Sequence, residues 1–174
     1  MNLYMVGYSG TGKSTVAKHL GMMLGWEWLD ADVEVELAAG KSIAQIFADE
    51  GEERFRDLES AVLQKLAARD KVIIALGGGA VLREANRRTI QESGQVAWLT
   101  ATPAALRSRI SQDATTAARR PNLTAEGGIS EITAILQQRI PLYRQIADVE
   151  IDTERLSPAE VAAEILRRLP SAPR

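Results

Sequence analysis

Gly7-Tyr8-Ser9-Gly10-Thr11-Gly12-Lys13-Ser14-Thr15 follows the apolar run Leu3-Tyr4-Met5-Val6 and precedes a segment whose apolar residues Val16, Ala17, Leu20, Met23 and Leu24 recur at helical spacing. The stretch satisfies the pattern GxxxxGK[ST] and stands where that pattern has physical meaning, between a strand and a helix. Its glycines let backbone N–H groups turn inward around phosphate oxygens, and the start of the helix adds its partial positive charge. Gly10, Thr11, Gly12, Lys13, Ser14 and Thr15 are therefore candidates to hold a nucleoside triphosphate, with Lys13 reaching the β- and γ-phosphates and Ser14 ligating magnesium. A glycine-rich turn can fit such a pattern by chance, but chance does not supply the flanking elements.

Outward from this loop, strand and helix signals alternate. Residues 3–6 read as a central buried strand, Lys13–Leu24 as a helix stopped by Gly25, and 28–30 as a second strand. A helix over 33–39 stops at Gly40, Ser42 with Gln45 makes a capping-box pair for a further short helix, and 52–69 reads as a longer one. The run 72–76, closed by three glycines, is the clearest strand and is expected to be buried on both faces. A helix over 83–92, a strand over 96–100, and a helix opened by Thr102 as cap and Pro103 as first residue follow. After residues 112–128, which lack an apolar period and read as a lid, come a helix over 129–143, a strand Val149–Asp152 and a last helix over 158–169. Such alternation predicts an α/β fold of three layers, a parallel sheet with right-handed crossovers and helices on both faces.

At 174 residues the chain fits a single domain, and its 45% hydrophobic and 25% charged residues exclude a disordered or fibrous protein. A net charge of −2 argues against broad attraction to nucleic acid or membrane, so any basic site must be local. The absence of cysteine excludes disulfides, thiolate zinc sites and thiol catalysis, and the lone His19, mid-helix, cannot build a histidine cluster. No apolar run approaches the ~20 residues that span a bilayer, and the first apolar segment runs straight into the loop. The cytoplasm is the expected address.

Other chemistry-bearing residues gather at expected strand ends. Asp30 and Asp32 follow Trp28-Leu29, so that a metal and a hydroxyl substrate could each use one, although an aspartate there also suits a helix cap. Gly77, Gly78 and Gly79 close a buried strand where ligands of parallel sheets bind, or else make a tight turn. Glu59 lies three residues after Arg56 on one helix face, spaced to orient that arginine or to form a plain ion pair with it.

Taken in order, GYSGTGKST, LDADVEVE, FRDLE, LGGGAV, RRP, RIPLYR and the terminal SP resemble the shikimate kinase family over nearly the whole chain. The resemblance implies a phosphate-loop kinase fold with a five-stranded parallel sheet and a mobile lid. It divides the chain into a core (1–31, 61–111 and 129–174), a substrate-binding segment (32–60) and a lid (112–128). It implies Mg2+-dependent transfer of phosphate from ATP to the 3-hydroxyl of shikimate by a monomer. On that resemblance Asp30 would hold the magnesium shell, with Ser14, and Asp32 would bind substrate hydroxyls and act as base. Arg56 and Arg139 would clamp the substrate carboxylate, as planar guanidinium groups do, and Gly77, Gly78 and Gly79 would contact the substrate. Arg120, before Pro121, would neutralise the transferring phosphate, with Arg119 sharing or competing for that task. Arg109 would lie over adenine with Pro158 on the other side, a surface role for Arg109 being equally open.

Two departures stand out. Ala31 separates the aspartates where the family usually carries a hydroxyl residue, and the lid reads RPNL, with Asn122, in place of RPLL. Neither removes a charge. The rival readings are another small-molecule kinase, for gluconate or a nucleoside monophosphate, and a nucleotide-binding module without catalysis.

Overall fold

Alternate residues of the inner strands go to opposite faces, and both faces are apolar. From the first strand, Leu3 and Met5 join Val16, Ala17 and Leu20 in one core, while Tyr4 and Val6 join Val35, Ile46, Leu63 and Ile90 in another. Residues 72–75 and 96–99 split the same way. A two-residue period with neither face polar is what a parallel sheet covered on both sides requires. Each fully buried Leu or Ile contributes roughly 1.5–3 kcal/mol, so the two cores carry the fold.

The computed structural model describes residues 1–113 and 128–170. The strands are β1 (Asn2–Val6), β2 (Glu27–Asp30), β3 (Val72–Ala75), β4 (Gly94–Thr100) and β5 (Val149–Asp152). They form one sheet in the order β2-β3-β1-β4-β5, every pair parallel, with β1 in the middle. Among the described residues the helices are α1 (Lys13–Leu24), α2 (Ala31–Ala39), α3 (Ile43–Ala67), α4 (Glu84–Ser93), α5 (Pro103–Gln112), α6 (Gly128–Ile146) and α7 (Pro158–Arg168), with a 3-10 turn at Ala80–Leu82. Helices α1 and α7 cover one face; α2, α3, α4 and α6 cover the other. The three layers and the five parallel strands agree with the sequence reading.

Because all strands run the same way, their carboxyl ends share one edge of the sheet, where open α/β folds bind ligands. The register sets the neighbours there: Asp30 lies beside Ala75, Ala75 beside Met5, Val6 beside Trp98, and Thr100 beside Asp152. The candidates 10–15, 30, 32 and 77–79 lie at these strand ends or in the loops and helix starts just past them, while Arg56, Arg109, Arg139 and Pro158 stand on helices.

Helix boundaries differ from expectation where tertiary packing or caps intervene. Helix α2 starts at Ala31, since Asp30 caps it. The Ser42–Gln45 capping box is complete, yet the short helix it opens and the longer helix after it run on as α3, broken only at Gly51 with φ 81° and ψ 175°. Helix α6 continues past Tyr143 to Ile146, both buried, despite Pro141 within it. Residues on both sides of the break at Gly51, Ile43 and Ile46 before it and Phe55, Leu63 and Leu66 after it, pack into the same core. That backbone region is essentially closed to side chains, so Gly51→Ala is expected to cost about 1–3 kcal/mol, read as a fall in the denaturant midpoint of unfolding.

Candidate active site

The loop from Gly7 to Gly12 turns through left-handed backbone at Gly10 and Gly12, and α1 then begins without a side-chain cap. Helices α2, α3, α5 and α7 each have such a cap. The first N–H groups of α1 are thereby left to whatever the loop encloses, which suits an anion. Lys13 folds back over the loop, donating from Nζ to the carbonyls of Gly7 (3.0 Å) and Tyr8 (2.9 Å). Thr11 Oγ1 donates to the same Tyr8 carbonyl at 2.8 Å, so part of the loop's curvature is held by its own side chains.

Beside this loop, one carboxylate does two things. Asp30 Oδ2 accepts the Ser14 hydroxyl at 2.5 Å, while Oδ1 accepts the N–H groups of Asp32 (3.0 Å) and Val33 (3.4 Å). The helix cap and the contact with Ser14 thus belong to opposite oxygens of Asp30. Asp32 sits half-buried in the first turn of α2, its backbone tied to Asp30.

Arg56 emerges from α3 just past the break at Gly51. Its Nη1 pairs with the buried Glu59 at 3.1 Å and its Nη2 with Glu52 at 3.0 Å, and the guanidinium lies 5.3 Å from the Phe55 ring centre. The spacing-based pairing with Glu59 is therefore present; Glu52 is a further partner that the sequence reading did not name. Gly77, Gly78 and Gly79 are all buried, and the Arg56 guanidinium lies against Gly79. On α6, Arg139 places its guanidinium 5.9 Å from the centre of the Tyr8 ring. Since the Tyr8 carbonyl also takes Lys13, a single residue touches both the phosphate-loop lysine and the α6 arginine.

Arg109 is held differently from a side chain lying loosely on a surface. Its Nη1 donates to Thr153 Oγ1 (2.9 Å) and to the Gly10 carbonyl (3.3 Å), and its Nη2 to the Thr153 carbonyl (3.0 Å). It thus straps the phosphate loop to the end of β5. Pro158, exposed, opens α7 after the Ser157 cap, on the far side of the loop that starts at Thr153. Next to Thr153, hydrogen bonds from Thr102 hold the Glu154 carboxyl below the usual carboxylate range. Arg119, Arg120, Pro121 and Asn122, the lid residues singled out in the sequence, lie outside the described residues.

The family model for shikimate kinase matches residues 9–170. The chain belongs to the shikimate kinase family. A shikimate kinase of Rhodopirellula baltica is 47% identical over 171 residues, covering 98% of this chain and 91% of the relative. One of Pseudomonas putida is 40% identical over 172 residues, covering 99% and 98%. The solved structure of the Acinetobacter baumannii shikimate kinase in complex with shikimate superposes with a TM-score of 0.89 at 37% identity, covering 95% of this chain and 90% of that one.

For a shikimate kinase, several supporting residues escaped the sequence reading. Tyr8 fills the cluster of Leu106 and Ile132 that packs α5 and α6 against the phosphate loop. Asn86 is buried on α4 and donates to the Ala80 carbonyl at 2.9 Å, pinning the turn after the glycines. Tyr143 donates to the Gly78 carbonyl at 2.6 Å. A buried asparagine or tyrosine needs a hydrogen-bond partner, which is a signal that partners exist, but not where.

Proposed function

We propose that this chain transfers the γ-phosphoryl group of ATP to the 3-hydroxyl of shikimate, releasing ADP. The observation that carries the reading is the continuity of the candidate site. Lys13 meets Tyr8 and Tyr8 meets Arg139; Ser14 meets Asp30 and Asp30 holds Asp32. These links, which run from the phosphate loop to Asp32 on one side and to Arg139 on the other, support a shared site near the carboxyl ends of the strands.

In this reading the phosphate loop, residues 10–15, holds the ATP phosphates, with Lys13 leaving the Gly7 and Tyr8 carbonyls for the β- and γ-phosphates. Arg56 and Arg139 take the shikimate carboxylate, which paired guanidinium groups recognise by geometry as well as charge. The backbone of Gly77, Gly78 and Gly79 lines the acceptor, and Asp32 orients the attacking hydroxyl and receives its proton. The hydroxyl oxygen bonds to the γ-phosphorus as the bond to the β–γ bridging oxygen breaks, in line. Such a transfer needs positioning and charge neutralisation more than covalent chemistry. Arg120 supplies charge at the moving phosphoryl group from the segment 112–128, and segment 32–60 forms the acceptor side. Arg109 and Pro158 flank the adenine, Arg109 doing so from its anchorage on Thr153.

Two hard oxygen donors, Ser14 Oγ and Asp30 Oδ2, converge at 2.5 Å beside the phosphate loop, a donor set that fits Mg2+. Among the described residues no cluster of three or more His, Cys, Asp or Glu side chains could hold a metal, in keeping with an ion that takes most of its ligands from water and phosphates. When bound, Mg2+ would neutralise charge on the β- and γ-phosphates. All these residues come from a single chain, so a monomer suffices, and ATP use suits the cytoplasm. A net charge of −2 and the lack of any described helix long and apolar enough to cross a membrane favour small-molecule substrates over nucleic acid or lipid.

The test is ADP release by the purified chain with Mg-ATP and, in turn, shikimate, gluconate and nucleoside monophosphates, with magnesium omitted as control. Turnover on shikimate is expected to exceed the others by about two powers of ten, with the product a 3-phosphate ester by phosphorus NMR. Faster turnover on gluconate or a nucleotide would overturn the assignment. Nucleotide binding with no ADP release on any acceptor would mark a module without catalysis.

A further inference from the structure

Tyr143 is fully buried, yet its hydroxyl reaches the glycine loop and donates to the Gly78 carbonyl at 2.6 Å. The ring is fixed from behind: it stacks on Trp98 with centres 5.8 Å apart and planes at 28°, and Trp98 lies beside Val6, the last residue of β1 before the phosphate loop. From this seat on the sheet, the side chain spans to the loop after β3.

Fixing that carbonyl fixes more than one atom. Peptide units are planar, and the structure holds no cis bond among its described residues, so the Gly79 N–H points away from Tyr143 once the Gly78 carbonyl points toward it. The next bonds lock the remainder of the turn, with Ala80 N–H donating to Gly77 O and Leu82 N–H to Gly79 O, each at 3.0 Å. Gly79 is in turn the surface against which the Arg56 guanidinium rests. Tyr143 also stands one helical turn after Arg139 on α6, so the two side chains leave the same face of one rigid element.

We propose that Tyr143 is a positioning residue for the acceptor site, whose hydrogen bond to Gly78 sets the spacing between Arg56, lodged on the glycine loop, and Arg139, carried on the helix of Tyr143 itself. The proposal rests on the reading of those arginines as a clamp for the acceptor carboxylate. A two-armed clamp works only at the right separation, because each arm's hydrogen bonds fade steeply with distance and angle. A tyrosine present merely to fill the core would contribute to stability and leave binding of the two substrates alike.

Tyr143→Phe in the full chain separates the two roles, since it keeps the ring on Trp98 and removes only the donor. The KM for shikimate is expected to rise about five- to tenfold, the worth of one hydrogen bond, with the KM for ATP unchanged. Both constants are measured well below the variant's melting temperature, so that lost stability does not pass for lost binding. Tyr143→Leu, which also removes the stacked ring, is expected to lower the melting temperature further without a larger ratio of shikimate to ATP effects. An unchanged shikimate KM in Tyr143→Phe, or an equal rise for both substrates, would overturn the positioning role while wild-type turnover on shikimate still upheld the function. A wild-type chain inactive on shikimate would overturn both.

Discussion

Asp32→Ala is expected to lower kcat with shikimate by about three powers of ten while ATP affinity stays within about threefold of wild type, the split that follows when a proton-accepting group is lost from an intact nucleotide site. The reason for the split is local. Helix α2 is capped by Asp30, not Asp32, and the Asp32 backbone is held by its own N–H bond to Asp30 Oδ1 at 3.0 Å. Truncating the Asp32 side chain therefore leaves the cap, the Ser14–Asp30 contact and the phosphate loop in place. The losses include one favourable acid in the first turn of α2, worth about 0.3–1 kcal/mol of stability, and the carboxylate proposed to accept the proton of the attacking hydroxyl. Asp32→Asn keeps the shape and removes the charge, and it is expected to match Asp32→Ala in kcat. Measured by ADP release and by nucleotide titration, undiminished kcat would remove Asp32 from the chemistry. An equal fall in ATP affinity would instead make it a structural support of the phosphate loop.

The second large effect concerns a residue without a side chain. A Cβ added at Gly79 would stand 2.3 Å from Arg56 Nη1, 2.7 Å from Nη2 and 2.8 Å from Cζ. Gly79 has φ −96°, which any residue adopts, so the glycine is there for space rather than backbone conformation. Gly79→Ala should thus expel the Arg56 guanidinium and raise the KM for shikimate about a hundredfold, as expected when two charge-assisted hydrogen bonds are lost. The melting temperature should fall as well, because displacing the guanidinium breaks its pair with the buried Glu59 although the strand need not move. Arg56→Ala should give a similar loss, and Gly79→Ala added to Arg56→Ala should change little more, since both act on one contact. A further large loss in the double variant would mean that Gly79 meets the substrate in its own right.

Much of this was open to sequence reading, because strand and helix periods and caps are local. The runs 3–6 and 72–76 are apolar without alternation, which only strands buried on both faces need, and the structure makes them the middle of the sheet. The phosphate loop was legible because its spacing and its flanking elements are contiguous in the chain. The break in α3 at Gly51 and the extension of α6 past Pro141 were less so. In both cases buried residues farther along, Phe55 and Leu63 in one and Tyr143 and Ile146 in the other, keep the helix in place after a residue that would stop it in isolation.

The candidate site divides along the same line. Among its charged members, Lys13, Asp30 and Asp32 were nameable as candidates from residue type and spacing, Arg56 and Arg139 only from the resemblance to the family. Their supports were not. Nothing near Tyr143 in the chain points to Gly78, nothing near Arg109 points to Thr153, and nothing near Tyr8 points to Arg139, since each pair is separated by more than forty residues.

By itself the sequence determined the alternation of strands and helices, the glycine-rich loop between β1 and α1 and the acidic pair after β2, because each is written in residues close together along the chain. Only the tertiary structure decided that Asp30 caps a helix with one oxygen and faces Ser14 with the other, that Gly79 makes room for Arg56, and that Tyr143 holds the glycine loop. Those are contacts between segments, and a parallel sheet brings such segments together only by collecting the ends of strands that lie far apart in sequence.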